Sequence, residues 1–515
     1  MDDVIAFLSD PATHGGVEVE VRRTHGAVVV LAGPHAYKVK RPVRYAYLDF
    51  TQPATRRAML ARELELNRPA APQIYDRLVP ITRTAGGGLA LDGNGAAVEW
   101  ALRMHRFPAE AEMIRVVEAG GLGAALAAAL GCTVAGLHAA APRRPGAGAA
   151  RMATVLSGLE VSFAGVAGGL DPVAGGAVLA AARARLARVA GVLDARAAAG
   201  FVRRCHGDLH LGNLVVLDGR PVPFDALEFD ETLGTMDVLY DLAFLLMDLD
   251  RRGHRAAANI VLNRWLHNSG EPAHLTGLAA LPLFLGLRAA IRAMVAAQRA
   301  QGAGAAEARA ARAEAADYLA AAQGYLAPAP ARLVAVGGLS GSGKSTLAAG
   351  LAPDIGPAPG AMLLRSDLIR KALAGVAETD RLPPGSYTEA ASDRVYAEMR
   401  ARAAQVLGAG HGVVLDAVHL TAGERRAAEA LAGRAGVRFD GLWLDAPPPA
   451  LRARVSARAG DASDADAAVV DRQLATAGAV TDWRHVPGDG LPSEVLETAL
   501  NRLGQSPRPG AGVQR

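Results

Sequence analysis

Short runs in which apolar and polar residues alternate fill the first hundred positions. They are VEVEVRR at 17–23, AVVVLAG at 27–33, AYKVK at 36–40, LVPITRT at 78–84 and AVEWALRM at 97–104. Period-two alternation of this kind predicts half-buried strands, and one helix is expected among them near 55–67. From 110 to 325 helical spacing takes over, broken by a loop-rich stretch at 201–235. The pattern predicts a small β-rich lobe, about residues 1–105, followed by a large helical lobe, about 106–327. A Pro-Ala segment, APAPA at 327–331, reads as the boundary, and the Ala-rich helix before it, 307–325, closes the first domain. Beyond it the strand-like runs LVAVGG, AMLLRSD, GVVLDA and FDGLWLDA alternate with helices. That rhythm predicts a parallel sheet with crossover helices, an α/β domain over 332–503, ahead of a flexible tail at 504–515.

Composition narrows the picture only a little. A chain of 515 residues with 51% apolar and 21% charged positions is globular and long enough for two or three domains. Its net charge of +4, its 4% of aromatics and the lack of a basic stripe argue against a nucleic-acid partner. Two cysteines, Cys132 and Cys205, make no disulfide framework and suit a reducing compartment. The N-terminus carries acids where an export signal carries bases. The most apolar stretch, 275–297, is interrupted by Pro282, Arg288 and Arg292 and reads as a buried helix, with no membrane partner expected. A soluble, cytoplasmic protein is expected. Of the 55 basic residues only Lys38, Lys40, Lys344 and Lys371 are lysines. Each therefore marks a place where a compact ammonium, not a planar guanidinium, is needed.

The segment Gly338-Leu339-Ser340-Gly341-Ser342-Gly343-Lys344-Ser345 fits the eight-position phosphate loop and lies between an apolar strand and a helix. Its glycines let successive amides of Gly338, Ser340, Gly341, Ser342 and Gly343 curl around phosphates. Lys344 reaches the terminal phosphates, Ser345 offers a hydroxyl to Mg²⁺, and Thr346 continues the site into the helix. Asp416 ends the run VVLD, where a Mg²⁺-binding acid belongs. Asp367 in SDLIRK can take a proton from a substrate hydroxyl while Arg370, one turn on, holds the transferred phosphoryl group or an acidic substrate. Asp367 can equally be a helix N-cap. Arg452, Arg454 and Arg458 fall within two helical turns and suit a lid over the phosphate, or else a solvated helix face. This half resembles the small-molecule P-loop kinases, the group that includes gluconate kinase, polynucleotide kinase and the zeta toxins. The resemblance implies phosphoryl transfer from ATP.

In the first domain, His206-Gly207-Asp208-Leu209-His210-Leu211-Gly212-Asn213 is followed twelve residues later by Asp225 in Pro-Phe-Asp. An Asp, an Asn five residues on and a second Asp across a hairpin make a phosphoryl-transfer centre: a base and two Mg²⁺ ligands. A metal site from His206, His210 and Asp208 lacks a fourth ligand and ranks behind, and His206 is expected to bond loop backbone. Here the chain resembles the aminoglycoside phosphotransferase family within the protein-kinase-like fold. The resemblance implies Asp208 as base, Asn213 and Asp225 as metal ligands, and Lys38 (with Lys40 as rival) and Glu63 as the small-lobe ion pair. It also implies a hinge near Glu99 for adenine, and Asp237 and Asp241 as braces of the loop. The turn at Thr24-His25-Gly26-Ala27 departs from the Gly-rich loop of protein kinases. With no cluster of acids near the end of the first domain to receive a polycation, aminoglycoside resistance is not expected.

The whole chain looks like bacterial two-domain proteins that join these halves: an α+β bilobal kinase-like domain, then an α/β P-loop domain. The expected activity is ATP- and Mg²⁺-dependent transfer of phosphate to small-molecule hydroxyls at two sites. The alternative is a regulatory protein in which one domain binds ATP without transferring phosphate.

Overall fold

The structure, a computed structural model, describes residues 1–24, 26–45, 48–166, 168–457 and 462–505. Contacts divide the chain into two compact units, Met1–Gly146 with Gly200–Leu245, and Ala147–Ala199 with Leu246–Arg515.

In the first unit the alternating runs become a six-stranded antiparallel sheet. Its strands are β1 (Val19–Arg23), β2 (Ala27–Ala32), β3 (His35–Lys40), β4 (Tyr75–Arg83), β5 (Leu89–Leu91) and β6 (Ala97–His105), in the order β1-β2-β3-β6-β4-β5. The apolar phase of the alternation, Val28, Val30, Val39, Val79 and Ile81, is buried against the helix Asp2–Ser9. Helix α1 (Pro53–Asn67) starts on a proline, whose fixed φ suits the first helical position. Its buried positions are Arg56, Leu60, Glu63 and Asn67, a stripe richer in polar than in apolar side chains. Burying such groups costs stability unless partners meet them, so the stripe already points to a site. Farther on, β7 (Leu214–Leu217) and β8 (Arg220–Pro223) form a hairpin closed by Asp218-Gly219, both at positive φ, as a two-residue turn requires. That hairpin returns Phe224 to Asn213, amide to carbonyl at 3.0 Å.

The second unit is built on a five-stranded parallel sheet. Its strands are β9 (Arg332–Gly338), β10 (Met362–Arg365), β11 (Val413–Asp416), β12 (Arg438–Asp445) and β13 (Arg484–Pro487), in the order β10-β11-β9-β12-β13. The first four coincide with the runs read from the sequence. The fifth does not: only Val486 of its four residues is buried, too little for a hydrophobic pattern to show. Helices α2 (Lys344–Leu351), α3 (Ser366–Ala374) and α4 (Glu389–Gly408) follow β9 and β10. The open edge of β10 is covered by the helix Arg255–Ser269. Asn259 and Asn263 donate to Ala361 O at 3.0 and 3.1 Å, and the Leu363 amide donates to Asn263 Oδ1 at 2.7 Å. These bonds satisfy part of the strand's open edge from within the same unit. Contact alone thus does not divide the chain at 327–331: helices that precede that segment pack in one unit with the sheet that follows it. The segment Ala273–Gln301 is the one helical stretch among the described residues long and apolar enough to cross a membrane, and most of it is buried in the fold.

Candidate active sites

In the first unit, β3, α1 and the β7–β8 hairpin converge on one ion-paired centre. Lys38 Nζ lies 2.7 Å from Glu63 Oε1 and 2.7 Å from Asp225 Oδ1. Burial opposes the charge on Lys38, but Asp225, Glu63 and Glu228 outweigh it and hold its pKa well above the ordinary range. Partial desolvation by the surrounding protein pushes the Asp225 carboxyl up, and Lys38 more than reverses that, leaving it below the usual carboxylate range. Asp225 stands at φ +59°, the left-handed region. Its backbone is pinned there: its amide donates to Tyr75 Oη at 2.9 Å, and the next amide, Ala226, donates to Asn67 Oδ1 at 2.8 Å.

Asp208 and Asn213 stand beside this group. Asn213 Nδ2 donates to both the carbonyl and the Oδ2 of Asp208, each at 2.9 Å, which turns Asn213 Oδ1 away as a free acceptor. The side chains of Asp208 and Asp225 are 44% and 42% exposed, open to a substrate. Behind them Asp241 accepts the amides of His206 and Gly207 at 3.2 and 2.9 Å, bracing the loop. His206 Nε2 bonds Phe224 O at 2.9 Å, a backbone tie and not a metal contact.

Lys40, the rival lysine, shares a strand face with Lys38 and shares Glu63 with it. Its Nζ lies 2.7 Å from Glu63 Oε2 and 2.6 Å from Glu228 Oε1. Asp225, Lys38, Glu63, Lys40 and Glu228 therefore form one alternating chain of charge. Glu228, Tyr75 and Asn67 were not found in the sequence, where nothing but distance along the chain connects them to the motifs.

Glu99 is not brought to this centre. It sits inside β6 opposite Ile81, and its carboxylate is taken by Arg56 of α1, at 2.5 Å, and by the Trp100 amide at 3.1 Å. The strand that holds Glu99 runs on from Ala97 to His105. Between β1 and β2 the Thr24 amide donates to Ala27 O at 2.9 Å; His25 lies outside the described residues.

In the second unit the phosphate loop links β9 to α2. Gly338, Gly341 and Gly343 take φ of +145°, +85° and +94°. A Cβ on Gly341 would stand 2.5 Å from Leu451 O, so only glycine fits. The Ser340 amide is occupied by Gln473 Oε1 at 2.8 Å, and Ser342 Oγ is buried without a partner. Lys344, Ser345 and Thr346 open α2, where the loop and the helix dipole favour an anion. Lys344 makes no hydrogen bond or ion pair among the described residues. Asp416, at the end of β11 next to β9, is 3% exposed. Burial raises its pKa against the pull of Lys344, Arg365 and a hydrogen bond from Ser345.

Asp367 and Arg370 lie in the first turns of α3, half-buried. Asp367 carries no cap bond, so the N-cap role open to it in the sequence is not the one it plays: the N-cap position is Arg365. Arg452 is not brought to the loop; it points to solvent and pairs with Asp471 at 2.7 Å. Two residues on, the opposite side of the same helix faces inward, and Arg454 donates to Gly488 O at 2.8 Å beside the loop. Arg458 lies outside the described residues.

Both centres fit Mg²⁺. Asn213 Oδ1 and the second Asp225 oxygen are hard, uncommitted donors, and Asp416 Oδ1 is buried without a partner beside Ser345. A buried carboxylate oxygen left bare is costly in the free protein and is satisfied by a hard cation.

Comparison with known proteins finds similarity to two families, one in each half of the chain. The chain matches the Phosphotransferase enzyme family over residues 36–281 and the AAA domain family over residues 333–480. Over 477 residues it is 31% identical to uncharacterized proteins of Mycobacterium tuberculosis and Mycobacterium bovis, covering 90% of this chain and 91% of each relative. Among solved structures, a gluconokinase from Sinorhizobium meliloti is 22% identical, with 34% of this chain and 92% of that chain covered and a TM-score of 0.26. A choline/ethanolamine kinase family protein from Mesorhizobium loti is 14% identical, with 62% and 98% covered and a TM-score of 0.38.

Proposed function

We propose that this chain, which belongs to the family of those mycobacterial proteins and itself matches a phosphotransferase model ahead of an AAA-domain model, is an ATP- and Mg²⁺-dependent phosphotransferase with two transfer sites, each delivering the γ-phosphoryl group to a hydroxyl of a small molecule. One observation carries the reading. Lys38 Nζ stands midway between Glu63 and Asp225, the arrangement that presents an ammonium to ATP phosphates beside a carboxylate for the metal.

At the first site Asp208 takes the proton of the acceptor hydroxyl, held in orientation by Asn213. At the second Asp367 does so, with Arg370 alongside. In each, the acceptor oxygen bonds to the γ-phosphorus, the bond to the β–γ bridging oxygen breaks, and ADP departs with that electron pair. Lys38 and Lys344 hold the phosphates in line. Asn213 and Asp225 at one site, and Ser345 and Asp416 at the other, would hold Mg²⁺, which when bound would supply charge neutralisation on the phosphate oxygens. Cys132 and Cys205 are in no disulfide, which favours the reducing cytoplasm as the place of action.

The test is transfer of labelled phosphate from ATP into a metabolite extract by the full-length chain. Asp208→Asn leaves only the second site working and Lys344→Ala only the first, so each should label its own product and the double variant none. Nucleotide binding at both sites without transfer at one of them would favour the regulatory alternative.

A further inference from the structure

The first site is assembled from three separate parts of the chain, and one carboxylate outside it grips all three. Helix α1 brings Glu63, the loop after the strand Val202–Arg204 brings Asp208, and the loop after the β7–β8 hairpin brings Asp225. Glu231, six positions after Asp225, accepts from three guanidiniums. Arg62 Nη2 donates to its Oε2 at 2.8 Å, Arg204 Nε to the same oxygen at 3.0 Å, and Arg144 Nε to Oε1 at 3.0 Å. Arg62 immediately precedes Glu63, and Arg204 precedes Asp208 by four positions. The cluster therefore ends beside a residue of the site on each of its three parts.

An exposed ion pair contributes little by itself, because water screens it and its side chains lose freedom. This one is anchored. The Arg204 side chain is 2% exposed, and the rest of its planar fork is spent on backbone: Nη1 donates to Cys205 O at 2.6 Å and Nη2 to Leu227 O. A Cβ on Gly234 would run into that guanidinium, so the chain stays bare where the fork passes. Asp230 accepts the amides of Thr232 and Leu233 at 2.7 and 3.0 Å, and so starts the helical turn Glu231–Gly234 at Glu231. Backbone bonds fasten the same segment to the chain ahead of Asp208. The Cys205 amide donates to Gly234 O and the Leu227 amide to His206 O, each at 2.9 Å. The Asp208 and Asp225 sides of the site are thereby joined into one piece, and α1 grips that piece through Arg62.

A tie of this kind is needed because the contact across the site itself is not permanent. Lys38 and Asp225 hold each other in the free protein, and these are the groups proposed to turn to the phosphates and the metal. Glu231 and its arginines stand outside that exchange. On the reading that the first unit transfers phosphate, we propose that Glu231 is a positioning residue for that reaction: through Arg62 and Arg204 it fixes α1, with Glu63 and its partner Lys38, at the distance from Asp208 that in-line transfer requires. A misplacement of about 1 Å between such groups costs on the order of 100-fold in rate.

The experiment uses the full-length Lys344→Ala variant, whose remaining transfer belongs to the first unit. Initial rates of label transfer from saturating ATP into a metabolite extract are measured below the unfolding transition of each protein. In this background Glu231→Ala should lower the rate about 10- to 100-fold, while calorimetry with a non-hydrolysable ATP analogue shows affinity little changed. Sodium acetate should recover part of the lost rate, since a free carboxylate can enter among the three arginines, and sodium chloride at the same ionic strength should not. Arg62→Ala should also lower the rate, and the Arg62→Ala/Glu231→Ala double variant should be no slower than Glu231→Ala alone, because both changes break the same bond. The Arg62 side chain is 27% exposed, so Arg62→Ala tests the tie even where Glu231→Ala does not fold. An Arg62→Ala protein that transfers at the parent rate overturns the inference, as do losses that multiply in the double variant. Absence of any transfer by the Lys344→Ala parent overturns the transfer reading of the first unit, and this inference with it.

Discussion

Lys38 and Asp225 are 187 positions apart in the chain, yet Nζ and Oδ1 lie 2.7 Å from each other. The pair joins the small sheet to the loop after the β7–β8 hairpin, and it holds together the groups proposed to meet ATP and its metal. Glu63 serves two lysines in this arrangement, and the two should not be equivalent.

Replacing Lys38 by Met should weaken Mg²⁺·ATP binding at the first site by about 10- to 100-fold, since a charge-assisted contact to phosphate is lost. Lys40→Met should affect stability more than affinity. It leaves Glu63, fully buried, with one lysine and Glu228 with none, and breaking a buried pair costs about 3–5 kcal/mol. Calorimetry with a non-hydrolysable ATP analogue in a Lys344→Ala background, beside thermal unfolding, separates the two effects.

Asp208→Asn and Asp225→Asn should fail differently. The first removes the proton acceptor and should lower first-site turnover by about 10²–10⁴-fold with Mg²⁺·ATP still bound. The second removes a carboxylate from a hard cation and should weaken Mg²⁺·ATP binding, in a way that added Mg²⁺ partly restores. A Mg²⁺ titration of both rates checks this; identical profiles would leave the two roles unassigned to these residues.

Gly341→Ala should silence the second site without unfolding the unit. The new Cβ meets a carbonyl, Leu451 O, at 2.5 Å, and φ of +85° strains any other residue. Nucleotide stoichiometry measured by calorimetry should fall from two per chain to one, and a second binding event that survives would count against the loop geometry.

Acid should weaken the second unit through its buried histidines. Burial takes His411 down to about 4 and His419 to about 3, from an ordinary value of 6.5. The unfolded chain binds these protons near pH 6.5 and the folded one does not, so the stability they contribute is full above that pH and is lost as pH falls toward 4. The expected slope is about 1.4 kcal/mol per pH unit for each group. His411→Gln keeps a donor for Gly360 O and should flatten the urea-unfolding stability between pH 6 and 4.5 by about one such slope.

Most of what acts locally was legible in the chain. The phosphate loop is eight consecutive residues whose work is done by backbone amides and glycine dihedrals, so sequence and site are the same object. The strand runs carry their own burial pattern, the Asp218-Gly219 turn dictates the hairpin that returns Phe224 to Asn213, and with it the relation between Asn213 and Asp225. What the sequence left open were choices among equivalent side chains. Lys38 and Lys40 share one strand face, Arg452 and Arg454 share one short helix, and Glu99 lies in a run that could end early or late. Each was decided by a partner supplied from far along the chain: Asp225 for Lys38, Asp471 for Arg452, Gly488 for Arg454 and Arg56 for Glu99. Backbone geometry is set over a few residues by sterics and turn chemistry, whereas an ion pair forms only where folding brings its two halves within a few ångströms. For that reason motifs, strands and candidate acids belong to the sequence, and the choice of which lysine meets Asp225, the alternating charge chain behind it and the Asn259–Asn263 cover of the sheet edge belong to the tertiary structure.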